Sequence, residues 1–221
     1  MKTKSGSLPE IICNDHNLYE GDLIEYFQTV FYHAQNLKYP YHNFRHIFHV
    51  VWLCYQACIF YIGTLTPREM RNLLIAALFH DFDHSGMIGN DDLNIERAVR
   101  GFKRYIMKED QGHVEEIISL IRATEYPYKV SSESLTLLSQ IIRDADMSQA
   151  LSEAWIQQVI FGLASEWNKK PIEVLEMESI FHKNLKFHTE WALSMFSQED
   201  IDKKIAEANE LLELLKTKPI I

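Results

Sequence analysis

Two short stretches of the chain hold an unusual density of groups that can bind a cation or move a proton. Ala76 to Gly86 reads AALFHDFDHSG, which places His80, Asp81, Asp83 and His84 in five positions at the end of an apolar run. Tyr41 to His46 reads YHNFRH, with His49 three residues further on. On a helix His42 and His46 lie on one face, and so do His80 and His84. Imidazole nitrogen with carboxylate oxygen suits a divalent cation such as zinc, iron, manganese or magnesium. The blander alternatives are a polar helix end beside the C-terminal dipole and core histidines held by hydrogen bonds. A third stretch, Ile141 to Ser148, reads IIRDADMS and sets Asp144 and Asp146 after an apolar face. A buried carboxylate must pair with a cation or take up a proton. An Arg143–Asp ion pair on the helix surface is the simpler alternative for that stretch.

The elements that must position these groups read as helices. The chain has 221 residues, 47% of them hydrophobic, with only 8 Gly and 6 Pro. This predicts one all-α, compact multi-helix domain over residues 18–221, preceded by a flexible tail over 1–17. Apolar periodicity predicts helices over 18–36, 43–62, 91–107 and 113–124. Thr66, Pro67 and Glu69 form a capping box that opens the helix ending in the His80 cluster. Ser131 to Ser134 open the helix that reaches Asp144 and Asp146. Helices over 152–167 and 171–196 follow, and Ser197 with Asp200 caps the last, 199–216.

Net charge is −9, which argues against a general nucleic-acid grip while leaving room for a small phosphorylated substrate offset by bound cations. The three cysteines are Cys13, Cys54 and Cys58. They form no CxxC pair, and Cys54 and Cys58 read as core residues in a reducing compartment. The N-terminus has no signal-peptide core, and the longest apolar run is short for a membrane span. A cytoplasmic protein is expected. Nothing in the sequence decides whether it oligomerises.

Taken together and in order, the three stretches resemble the HD-domain metal-dependent phosphohydrolases, and most of all the catalytic domain of the class I cyclic nucleotide phosphodiesterases. The family's YHNxxH and HDxDHxG signatures stand unbroken at 41–46 and 80–86, and its T-D-[LM]-[AS] run is similar to Ala145-Asp146-Met147-Ser148. The resemblance implies that His46, His80, Asp81 and Asp146 hold a first metal and that Asp81 bridges to a second. It places His84 beside them, orienting a metal-bound water, with Asn43 and Asp83 as supports. Asp144 has no strong counterpart and reads as a neighbour of the ligands or as a surface pair. Two bridged cations would make hydroxide available near neutral pH and offset charge on a phosphoryl group. His42, one turn from His46, is the candidate general acid for the leaving oxygen.

The match departs from the family at the base pocket. The family sets a purine-selecting glutamine three residues before a phenylalanine. The nearest counterpart here is Glu178-Ser179-Ile180-Phe181, with Tyr41 as a further candidate contact. An ionised carboxylate only accepts hydrogen bonds, so base recognition would differ. The expected function is hydrolysis of a nucleotide-like phosphoester, most specifically a cyclic nucleotide diester. The alternatives are a 5′-nucleotide phosphomonoesterase, a diiron oxygenase and a non-catalytic metal-bound module.

Overall fold

The computed structural model describes residues 6–89 and 91–217. Eleven α-helices account for most of them, and apart from one isolated bridge between Ile62 and Leu65 the described residues form no strand. The organising element is α4 (Pro67–Phe79). Its capping box is present as the sequence predicts, with Thr66 Oγ1 accepting from Glu69 N at 3.2 Å and Glu69 Oε2 accepting from Thr66 N at 2.8 Å. Every residue from Leu73 to Phe79 is fully buried. A helix apolar on all sides must be surrounded, and α4 is covered by α2 (Ile24–His33), α3 (Phe44–Phe60), α5 (Asp91–Tyr105), α6 (Val114–Ala123) and α7 (Leu137–Met147). Its C-terminus therefore delivers His80 and Asp81 to the middle of the molecule.

Behind that terminus the packing is close. Phe82 is buried, stacked on Phe79 with ring centroids 5.3 Å apart. A Cβ on Gly101 of α5 would lie 2.3 Å from Phe82 Cδ1. Gly101→Ala must therefore push Phe82, and with it the turn carrying Asp81. We expect a loss of about 1–3 kcal/mol in a denaturant titration, the usual range for overpacking a core.

Several boundaries differ from the sequence reading. Residues 1–5 of the expected tail lie outside the described residues, but the rest is not loose. Leu8–Cys13 form α1, with Ile11 and Ile12 buried in the main core. Asn14 ties this segment down, its amide donating to the Tyr19 and Gly21 carbonyls. The expected helix 18–36 shortens to α2, followed by a single 3-10 turn at Gln35–Lys38. Ser132–Ser134 is an isolated turn, and α7 starts after Thr136, whose hydroxyl accepts from Ser139 N. The expected helix 152–167 opens with a wide π turn, Ile156–Phe161, before α8 (Gly162–Glu166). The expected helix 171–196 is two, α9 (Pro171–Asn184) and α10 (Glu190–Met195), because Thr189 caps the second one afresh. The chain ends in α11 (Gln198–Thr217), and residues 218–221 lie outside the described set.

The apolar interior falls into two clusters. The larger surrounds α4. The smaller holds Trp155, Val159, Leu163, Val174 and Ala208, from the segment 155–164, α9 and α11.

Candidate active site

Asn43 caps α3 and so fixes the first signature. Its side chain accepts from Arg45 N at 2.8 Å while its amide donates to the Tyr39 and Pro40 carbonyls. This sets His46 in the first turn, facing the end of α4. His46 and His80 are buried, and their Nε2 atoms lie 3.2 Å apart. Asp81 Oδ2 is 3.2 Å and Asp146 Oδ1 3.0 Å from His46 Nε2, and the same oxygens are 3.5 and 3.7 Å from His80 Nε2.

The tautomers of this cluster are set from outside it. His46 Nδ1 donates to Gln149 Oε1 at 2.6 Å, and His80 Nδ1 donates to the Ala77 carbonyl at 2.8 Å. Each Nε2 then carries a lone pair, aimed at the other and at two carboxylate oxygens. Apart from its approach to the two imidazoles, buried Asp81 Oδ2 has no hydrogen-bond partner among the described residues. Four acceptor atoms thus converge with no proton among them, which is stable only around a cation or with a proton taken up. Donor separations of roughly 3.0–3.7 Å are those of atoms sharing one ion at bonds of about 2.0–2.2 Å. His46, His80 and Asp81 form a set that could hold such an ion. Without a cation, burial opposes a charge on His46, but hydrogen bonds to Asp146 and Asp81 outweigh it and raise the imidazole pKa well above its usual value. Burial likewise works to raise Asp81, yet the neighbouring histidines His80, His46 and His42 hold its carboxyl well below the carboxylate range.

Beside this cluster stands a second one. His42 Nδ1 is 2.5 Å from Glu166 Oε1. Glu166 Oε2 accepts from the Tyr41 and His42 backbone N–H groups at 3.0 and 3.1 Å. Burial raises the Glu166 pKa, but these bonds to His42 and Tyr41 bring it below the normal glutamate value. The carboxylate therefore stays ionised and holds the imbalance of charge that orients His42. Glu166 lies in no motif, 124 residues from His42, and the sequence reading missed it. Gln149, which fixes His46, was also missed. Its position one turn after Asp146 was the available signal.

His84 stacks on His42 with centroids 3.6 Å apart. Gly86 N–H donates to its Nδ1, and the Asn94 amide lies 2.8 Å from its Nε2. Burial, aided by the His42 charge, lowers the His84 pKa to about 4. His84 is thus neutral at neutral pH, its ring a platform for His42. Asp83 faces away from the donors. It adopts φ 62°, accepts from Gln35 N at 2.8 Å through Oδ1 and donates its own N–H to Asn36 Oδ1 at 3.0 Å. Asp144 corrects the sequence reading. It is neither beside the ligands nor a surface pair, but is buried, accepting from His188 N, Thr189 N and Thr189 Oγ1. It ends up there because residues two apart on α7 face different directions, so Asp146 meets His46 and Asp144 meets the start of α10. Arg143 does not pair with it, donating instead to the Ala123 and Val130 carbonyls.

Tyr41, Glu178 and Phe181 do reach the site. With His42, His46, Asp81 and Asp146 they line a cavity of about 180 Å³. It adjoins a groove of about 460 Å³ that shares His42, His84, Asp91, Tyr126 and Trp167 with it. Glu178 is buried, its Oε2 has no partner, and burial alone pushes its pKa up to about 7.

An all-helical domain with histidine and aspartate donors converging from three helices, beside a carboxylate-held histidine, defines a hydrolase of the HD-domain type. The sequence profile of the 3′5′-cyclic nucleotide phosphodiesterase family matches residues 41–160, more than half of the chain. The chain belongs to that family and is by membership a metal-dependent phosphodiesterase. Comparison with individual curated proteins gives no match. No helix among the described residues is long and apolar enough to cross a membrane.

Proposed function

We propose that the protein hydrolyses a nucleotide-like phosphodiester, a cyclic nucleotide in the first place, with His46, His80, Asp81 and Asp146 holding one divalent cation and Asp81 shared with a second. The reading is supported above all by the four proton-free acceptor atoms that meet within reach of the His42–Glu166 pair. The cations, when bound, polarise the phosphoryl group and supply a water acidic enough to serve as nucleophile near neutral pH. Gln149 and the Ala77 carbonyl keep both ligand imidazoles in the tautomer that presents Nε2. Glu166 accepts the Nδ1–H of His42 and fixes the ring, so that in its imidazolium form the Nε2–H is the proton handed to the leaving oxygen. That step is what a diester with a poor leaving group needs, and a 5′-monophosphatase shares it. His84, neutral, holds the His42 ring by stacking and takes no part in the proton transfer.

Phe181 and Tyr41 supply aromatic faces for a base, and Glu178 reads its edge. Glu178 titrates near neutrality, at about 7. Protonated, its carboxyl presents a donor and an acceptor side by side, as an amide does; ionised, it only accepts. Base preference therefore shifts between pH 6 and 8, and Glu178→Gln removes that shift. Stability follows the same proton. The folded-state pKa lies above the ordinary 4.5, so the unfolded chain gives up this proton first. The penalty on folding is absent below pH 4.5, grows from there to about pH 7 and is constant above. Glu178→Gln is expected to be more stable than the parent at pH 8 by up to about 3 kcal/mol, the gap shrinking toward pH 4.5, by urea unfolding at the two pH values.

The direct test is metal analysis of the purified protein with a panel of cyclic nucleotides, 5′-nucleotides and a nitrophenyl phosphodiester. About two ions per chain with diester turnover is the expected result. Turnover of 5′-nucleotides alone would move the assignment to a phosphomonoesterase. Dioxygen-dependent chemistry with two irons would move it to an oxygenase, and bound metal with no turnover to a binding module.

A further inference from the structure

Helix α5 carries Arg97, Arg100 and Arg104, spaced three and four apart so that they share one face. They line a cavity of about 630 Å³ whose other walls include His33, Tyr105 and Asp83. This is well above the space at the metal cluster and within the range of small-molecule sites. In a chain of net charge −9, these guanidinium groups are left without acidic partners. Among the described residues Arg97 donates only to the Asp83 carbonyl, at 3.1 Å. Arg104 lies over the Tyr105 ring, 5.3 Å from its centroid. Arg100 makes no hydrogen bond or ion pair with any described residue. His33 and Tyr105 stack at 12° and 5.1 Å, forming a flat wall. The lone carboxylate, Asp83, already accepts from Gln35 N. Three guanidinium forks against one engaged carboxylate give a cavity with net positive charge. Guanidinium groups suit a phosphoryl dianion, which they bind through paired N–H groups.

We propose that this cavity is a second ligand site, for a small phosphomonoester, with the phosphoryl group between Arg100 and Arg104. A cyclic diester carries one negative charge and a monoester close to two, so the site favours the monoester. The cavity is also the back of the metal loop. Asp83, held in a left-handed conformation, stands two residues after Asp81, and its tethers include Gln35 and Arg97 from the cavity wall beside the buried Asn36. A dianion competes with the Asp83 carbonyl for Arg97 and so loosens the loop that presents Asp81. On the diesterase reading given above, a hydrolysis product would then slow its own formation from a place apart from the catalytic cluster.

The test is calorimetric titration of the protein with a 5′-nucleoside monophosphate and, separately, with inorganic phosphate. Four proteins are compared: the metal-loaded parent, the double variant Arg100→Ala/Arg104→Ala, Asp81→Asn, and the double variant combined with Asp81→Asn. Both arginines are exposed and alanine suits a helix, so the double variant should fold. The expected result is a binding event present in the parent and in Asp81→Asn, and weaker by about tenfold or more when Arg100→Ala/Arg104→Ala is added to Asp81→Asn. Inorganic phosphate binding as tightly as the nucleotide would assign recognition to the phosphoryl group alone, which supports the site as described. Binding that is undiminished when Arg100→Ala/Arg104→Ala is combined with Asp81→Asn, or that disappears with Asp81→Asn alone, overturns the proposal. So does the absence of any binding in the parent. These readouts are independent of turnover, so failure of the diesterase reading leaves them interpretable. Where diester turnover is measurable, the parent should show a noncompetitive component of inhibition by the monophosphate that the double variant lacks.

Discussion

Asp81→Ala is expected to strip the protein of both bound metals and to bring diester turnover to the background rate. Asp81 is the one carboxylate within 3.5 Å of both ligand imidazoles, and its Oδ2 is satisfied by nothing else in the protein. Its removal leaves His46 and His80 with Nε2 lone pairs 3.2 Å apart and only Asp146 to complete the set. A site short of its shared ligand loses both affinity and the arrangement that activates water. Metal analysis after gel filtration measures this directly, with circular dichroism to show that the helices persist. A variant that retained two ions per chain would remove Asp81 from the bridging role.

His42→Ala should behave in the opposite way, keeping its metals and losing rate. His42 touches none of the four donor atoms by hydrogen bond, and its Nδ1 is committed to Glu166. Loss of a positioned general acid costs roughly 10²–10⁴-fold. That loss should appear in full for a cyclic nucleotide, whose leaving alkoxide needs a proton. It should be much smaller for a nitrophenyl ester, whose leaving group departs without one. Equal losses for the two substrates would show that His42 positions something instead of donating a proton. Glu166→Gln is the companion measurement, since it removes the charge that holds the imidazole while keeping a hydrogen-bond acceptor.

The parts of the site that were legible in the sequence are those built from local spacing. His42 and His46 are one helical turn apart, and His80 and Asp81 close a helix whose capping box and apolar run are plain. Asp146 was found by order along the chain, and its neighbour Asp144 was misplaced, because a two-residue offset on a helix changes which element a side chain meets. Glu166 was invisible for a different reason. Its role depends on α8 packing back against the Tyr41–His42 backbone, a contact that periodicity does not encode. The break between α9 and α10 was missed because Asp144 and Thr189 create it through bonds that span 45 residues. The N-terminal segment looked loose because α1 is short, and its order comes from burial of Ile11 and Ile12 and from the Asn14 side chain.

The two apolar clusters divide the labour of the site. His46, His80, Asp81 and Asp146 stand on helices of the larger cluster, whereas Glu166 and Glu178 stand on α8 and α9, anchored in the smaller one. On the function proposed above, mutational drift in the smaller cluster would reset what the enzyme accepts, and how His42 is aimed, without disturbing His46, His80, Asp81 and Asp146. For a laboratory selecting new substrates, the residues to randomise are those under α8 and α9, with α4 left alone.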